Sequence, residues 1–138
     1  MSDPLVDKAA TDLVRSMMPF AEKLGIDVLS SGPDEVRTQI LWHESLTTAG
    51  GILHGGALMA LADATGGLCA FLNLPAGAGT ATIESKTNFL RPIGSGSATA
   101  VATPLNVGRR FIVVQTDIVN EAGKLAARVT QTQAVLSP

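Results

Sequence analysis

Between His54 and Asn73 the chain reads HGGALMALADATGGLCAFLN, and this stretch limits the possible folds more than any other. Two glycines open it, and Asn73-Leu74-Pro75 closes it with a side chain and a ring that stop helices. The helix it predicts is apolar on every side rather than along one stripe. Such a helix is buried in a fold or in lipid. At about seventeen residues it sits at the short end of the bilayer-spanning range, it carries Asp63 in its middle, and it lacks basic flanks. The expected setting is a central helix wrapped by sheet. Asp63 is then a buried carboxylate, costly unless it is partnered or used.

The 138 residues suffice for one core, and residues 1–138 are read as a single domain. Ten basic against twelve acidic residues leave a net charge of −2, which offers no basic surface to a nucleic acid. The single cysteine, Cys69, excludes an internal disulfide and fits a reducing compartment. The opening Met1-Ser2-Asp3-Pro4-Leu5 lacks the basic-then-apolar pattern of a secretory signal, so a cytoplasmic protein is expected, with no membrane partner.

Residues 4–18 have helical spacing, with Leu5, Ala9, Leu13 and Met17 recurring at fours and Pro4 suited to the first turn. A second short turn runs from Pro19 to Gly25. The period then changes to two. Ile26, Val28, Val36, Thr38, Ile40 and Trp42 alternate with polar neighbours around a Ser-Ser-Gly-Pro-Asp turn, predicting two strands. A polar loop from His43 to Gly51 leads into the central helix. Beyond it, four strands are predicted over Thr80–Leu90, Ser95–Thr103, Arg110–Asn120 and Lys124–Val135, the last two alternating through Ile112, Val114, Thr116, Ile118 and then Leu125, Ala127, Val129. Short connectors predict that these neighbours pair antiparallel. The fold class is α+β: one antiparallel sheet curled around one long helix, with an N-terminal cover helix.

Gly55-Gly56 at a helix start offers unbonded backbone N–H groups and the positive end of the dipole, suited to an anion or an oxyanion; equally, the glycines serve close packing against the sheet. Asp63 lies eight residues on, roughly 12 Å along the same helix. A base there and a donor at Gly55 of the same chain do not meet at one carbon. They meet when two subunits pair their helices antiparallel. His54, just before the helix, is placed to orient the loop, and Cys69 reads as core. His43, His54 and Cys69 have no metal-ligand spacing, and neither Gly77-Ala-Gly79 nor Gly94-Ser-Gly96 matches a nucleotide-binding loop. Arg91, Arg109 and Arg110 sit beside turns, either as solvated charges or as grips for ligand phosphates.

These residues resemble the hotdog-fold acyl-CoA thioesterases of the phenylacetyl-CoA and 4-hydroxybenzoyl-CoA type. The likeness spans nearly the whole chain and rests on Leu53-His-Gly-Gly-Ala-Leu-x-x-Leu-x-Asp63, Lys86-Thr-Asn-Phe-Leu-Arg-Pro92, Gly108-Arg-Arg110 and Glu121-Ala-Gly-Lys-Leu125. It implies a curved antiparallel sheet around one long helix, with active sites at a dimer interface; whether the protein stays a dimer or pairs dimers into a tetramer is left open. Asp63 then matches the family's general base or nucleophile, and Gly55 the residue whose N–H polarises the thioester carbonyl. Thr82 falls where a Ser or Thr helps to place the water. Thr48 stands where the family usually carries Asn or Gln, and a hydroxyl reaches less far than an amide. His54, Gly56, Phe89, Leu90, Arg91, Gly108, Arg109 and Arg110 match segments that contact substrate or coenzyme A. The expected reaction is hydrolysis of an aryl- or medium-chain acyl-CoA without a cofactor. The alternative is a non-catalytic acyl-CoA or acyl-carrier sensor on the same scaffold.

Overall fold

The apolar run forms the longest helix, α3 (Gly55–Phe71), after two short helices, α1 (Lys8–Met17) and α2 (Pro19–Leu24), in a computed structural model that describes residues 5–138. His54 caps the start of α3, its Nδ1 accepting the Gly56 N–H at 2.8 Å. Asn73 closes the other end, donating from Nδ2 to Cys69 O and Pro33 O at 2.9 and 2.8 Å. Asp7 caps α1 by accepting the Ala10 N–H, so the helix begins at Lys8 and leaves Leu5 and Val6 outside it. The expectation for Pro4 lies outside the described residues.

Six strands make one antiparallel sheet: β1 (Asp27–Ser31), β2 (Val36–Leu41), β3 (Gly79–Phe89), β4 (Ser97–Val107), β5 (Phe111–Asn120) and β6 (Leu125–Leu136). The order across it is β1-β2-β4-β5-β6-β3. β3 therefore does not pair with β4, as its short connector predicted. It runs beside β6 at the edge, and the chain from Leu90 to Gly96 crosses the end of the sheet to reach β4. That crossing is tied down on both sides: the Leu90 and Arg91 N–H groups donate to Ala126 O, and Ile93 O accepts from Leu53 N–H. β4 also continues past its predicted end, carrying Pro104 through a register shift to Val107.

The inner face of the sheet is cut to fit the helix. Ala98, Ala100 and Ala102 of β4 are fully buried, and their small side chains let α3 lie close to the strands. Leu61, Ile26, Ile40, Ile118 and Val129 fill the core around them. One buried polar pair ties α3 to β2: the Thr65 hydroxyl donates to Leu61 O at 2.7 Å, so the Thr38 hydroxyl supplies the proton of the 2.6 Å Thr38–Thr65 bond.

The two edges of the sheet differ. The outer side of β1 is covered by α1, with the Asp7 N–H donating to Val28 O and the Thr11 hydroxyl accepting from Val28 N–H, both at 2.8 Å. β3 is left bare, and most of its residues are exposed. The sheet thus wraps α3 on one side only. Met59, Asp63 and Phe71 face outward, Met59 and Phe71 at 41% and 50% exposure. This corrects the expectation of a helix enclosed all round with Asp63 buried inside it. Hydropathy reports that a surface avoids water, and is silent on whether the same chain supplies the cover.

Candidate active site

The first turn of α3 has a simple hydrogen-bond account. The Gly56 N–H goes to His54 Nδ1, and the Ala57 and Leu58 N–H groups go to His54 O. Among the described residues the Gly55 N–H has no acceptor, as befits the first N–H of a helix. One donor at the positive end of the longest helix is left free, as an anion or carbonyl site requires. Gly55 is also a close-packing glycine. A Cβ at that position would lie 3.0 and 3.2 Å from carbons of the Phe89 ring.

The free N–H belongs to a groove of about 360 Å³. Thr48 arrives from the loop before α3, Gly55 and Leu58 from the helix, and Phe89, Leu90 and Arg91 from the end of β3, so five residues singled out in the sequence meet here. Thr48 is exposed, and its side chain makes no capping bond. The Arg91 guanidinium donates from Nη1 to Leu125 O at 2.9 Å, anchoring it beside the groove. His54 spends Nδ1 on the cap and is exposed otherwise.

Asp63 stands two turns further along and does not line this groove. Its Oδ1 accepts from Gln131 Nε2 at 3.1 Å. Gln131 Nε2 also donates to Gln133 Oε1 at 2.8 Å, and the Thr82 hydroxyl donates to the same oxygen at 2.6 Å. Asp63 and Thr82 are therefore linked through two buried glutamines on β6 that the sequence reading did not single out. A signal was available: the inward phase Leu125, Ala127, Val129 continues to Gln131 and Gln133. Thr82 also directly precedes the register shift between β3 and β6, a local irregularity of the kind that re-aims side chains at sites.

Gly108, Arg109 and Arg110 lie at the opposite end of α3, in an open depression of about 760 Å³ beside Asn73, Leu74 and Pro138. Within one chain they are separated from the Gly55 groove by the length of the helix, roughly 25 Å. Cys69 is fully buried, and that burial, with Asp34 adding to it, pushes its thiol up to about 11. It is core. Among the described residues no helix is long and apolar enough to cross a membrane.

The comparisons agree with this architecture. The family model of the thioesterase superfamily matches residues 50–127, from the loop before α3 to the start of β6. A solved thioesterase from Haemophilus influenzae superposes with a TM-score of 0.85 at 33% identity, covering 91% of this chain and 88% of its own. A thioesterase family protein from Silicibacter pomeroyi reaches a TM-score of 0.86 over 93% of this chain and 96% of its own; at 24% identity it speaks for the fold alone. The 1,4-dihydroxy-2-naphthoyl-CoA hydrolase of Escherichia coli is 33% identical over 86 residues, 62% of this chain and 63% of that one. A long helix held in a curled antiparallel sheet is the architecture this chain shares with these proteins, and the family model covers more than half of it: the chain belongs to the thioesterase superfamily and is a hotdog-fold thioester hydrolase.

Proposed function

We propose that this protein hydrolyses an acyl-CoA thioester at sites assembled from two copies of the chain. The observation that carries the proposal is the separation of the free Gly55 N–H from Asp63, about 12 Å apart along one helix and both on the uncovered side of the fold. The bare edge of β3 and the apolar side chains beside it support a second copy as the missing cover. Ile83 is 57% exposed, and Phe89, Met59 and Phe71 are open as well. Long unprotected edges of this kind are normally paired or hidden. Two-fold pairing along β3 sets the two α3 helices antiparallel, each start directed towards the partner's Asp63. It also turns the partner's Arg109 and Arg110 towards the end that holds Gly55 and Arg91, a suitable set of cations for the phosphates of coenzyme A.

In this reading the thioester oxygen accepts the Gly55 N–H. The partner's Asp63 takes a proton from a water that attacks the carbonyl carbon, or attacks that carbon itself. The charge that develops on oxygen is held at the helix start. When water attacks, the C–S bond then breaks, the sulfur takes up the proton held by Asp63, and free acid and coenzyme A leave; when Asp63 attacks, coenzyme A leaves first and a water then opens the mixed anhydride to free the acid and restore the carboxylate. Thr82, whose own proton is committed to Gln133, keeps its lone pairs to accept from the water. Phe89, Leu90 and Leu58 give the acyl or pantetheine chain an apolar wall, and Thr48 replaces the longer amide common in the family. The reading needs no cofactor and places the protein in the cytoplasm, as a dimer or a pair of dimers.

The test is thiol release from aryl, short and medium acyl-CoAs by wild type and Asp63→Asn. A loss of about a hundredfold or more is expected in the variant. Undiminished turnover would remove Asp63 from the mechanism. Tight binding with no thiol released from any acyl group would favour the sensor reading, which the short Thr48 side chain motivates.

A further inference from the structure

We propose that Gln131 is a positioning residue for Asp63, held in one orientation by a polar relay that begins at a backbone carbonyl. The proposal rests on the assignment of Asp63 to the reaction. Ala134 O can only accept, so the Thr80 hydroxyl spends its proton there, at 2.8 Å. Thr80 Oγ1 must then accept, and Gln133 Nε2 donates to it at 3.1 Å. That turns Gln133 Oε1 towards Gln131 and Thr82, both of which donate to it. Gln131 is left with Nε2 as the end that reaches Asp63. Reversing the Gln131 amide would set its oxygen against both Gln133 Oε1 and the carboxylate. The direction of every bond follows from the first.

The helix is shaped to the same end. A Cβ at residue 66 would overlap Gln131 Oε1 and approach Gln131 Cδ at 3.2 Å, so glycine at this position makes room for the amide. Gln131 is fully buried, yet among the described residues its Oε1 has no donor, and neither does the neighbouring Thr116 Oγ1 have a partner. Buried polar atoms are normally paired, and leaving one unpaired is costly. An amide serving the core alone would be better replaced by an aliphatic side chain of similar size. The arrangement is explained by what its N–H end does: it holds one carboxylate oxygen of Asp63, an exposed residue whose other oxygen has no hydrogen bond among the described residues.

The experiment is steady-state kinetics on Gln131→Met, Gly66→Ala, Asp63→Asn and the double variant Gln131→Met/Asp63→Asn, with thermal melts to show that each is folded. Gln131→Met removes the donor at similar volume, and Gly66→Ala pushes the amide aside from the helix while keeping residue 131 a glutamine. Each is expected to lower kcat by about ten- to a hundredfold with KM changed less than about twofold. In the Asp63→Asn background the Gln131 substitution is expected to cost nothing further. Full kcat in both folded single variants would overturn the proposal. So would an equal loss in the two backgrounds, since Gln131 would then act independently of Asp63. Full activity in Asp63→Asn alone is a different failure, for it overturns the assignment of Asp63 and this proposal with it.

Discussion

Replacing Gly55 by proline deletes one hydrogen-bond donor at almost no cost to the fold. Its N–H has no acceptor within the described chain, so no internal bond is lost. Gly55 is the first helical residue, where proline is well suited. His54 before it has φ −61° and ψ 135°, the extended conformation that a following proline requires. The one structural penalty is crowding, because a Cβ there meets the Phe89 ring at 3.0 Å. Gly55→Ala carries the same Cβ and keeps the N–H, so it isolates that penalty; the half-exposed ring needs to tilt by only a few tenths of an ångström. The ratio of the two variants reports the loss of the donor together with the proline Cδ that takes the place of its hydrogen. Loss of one oxyanion donor typically costs about 2.7–4 kcal/mol, or a factor of about 10² to 10³ in kcat. The assay is kcat for release of coenzyme A, with thermal melting alongside. Gly55→Pro and Gly55→Ala that melt together and turn over within about threefold of each other would refute the assignment of this N–H to the thioester oxygen.

Further outcomes follow from the core. The Cys69 thiol keeps its proton to about 11 in the folded chain against 9.0 for the ordinary group, so across that interval the unfolded state releases the proton first. Stability therefore falls as pH rises from 9 to 11, by on the order of 2 kcal/mol, and urea melts of Cys69→Ala are expected to lack this added alkaline loss. Leu61→Ala empties a fully buried site on α3 and is expected to cost about 2–5 kcal/mol in urea unfolding. Thr65→Val leaves the Thr38 hydroxyl without its acceptor and is expected to cost about 1–3 kcal/mol by the same measurement, more than Thr38→Val/Thr65→Val together.

Much of this molecule is legible in its sequence because the signals are local. The central helix stands out as an unbroken apolar run with glycines before it and Asn73-Leu74-Pro75 after it, and α3 ends within two residues of that expectation. The strands are legible by alternation. Their order is not, because a connector of given length states only how far the chain travels, and Leu90 to Gly96 spends that length crossing the sheet end. Asp63 was legible as the residue to explain, but its exposure was not. Gln131 and Gln133 stayed hidden for a different reason. In Thr130-Gln-Thr-Gln133 both faces are polar, and only the phase carried over from Ala127 and Val129 tells which pair points inward. The gathering of Thr48, Gly55, Phe89, Leu90 and Arg91 depends on contacts between distant segments, which motif spacing suggests and folding decides.

The central claim, that an N–H of one copy and a carboxylate of another serve one carbonyl, is tested most directly by mixing two inactive variants. On that claim, Gly55→Pro and Asp63→Asn are each expected to destroy both sites of a symmetric pair. A mixed pair, however, joins an intact Gly55 to an intact Asp63 at one of its two sites. Unfolding and refolding the variants together at equal concentration is expected to restore about one quarter of wild-type kcat, since half of the pairs are mixed and each has one whole site. Activity that stays at the level of the separate variants, with mixed pairs demonstrated by mass, would contradict the account.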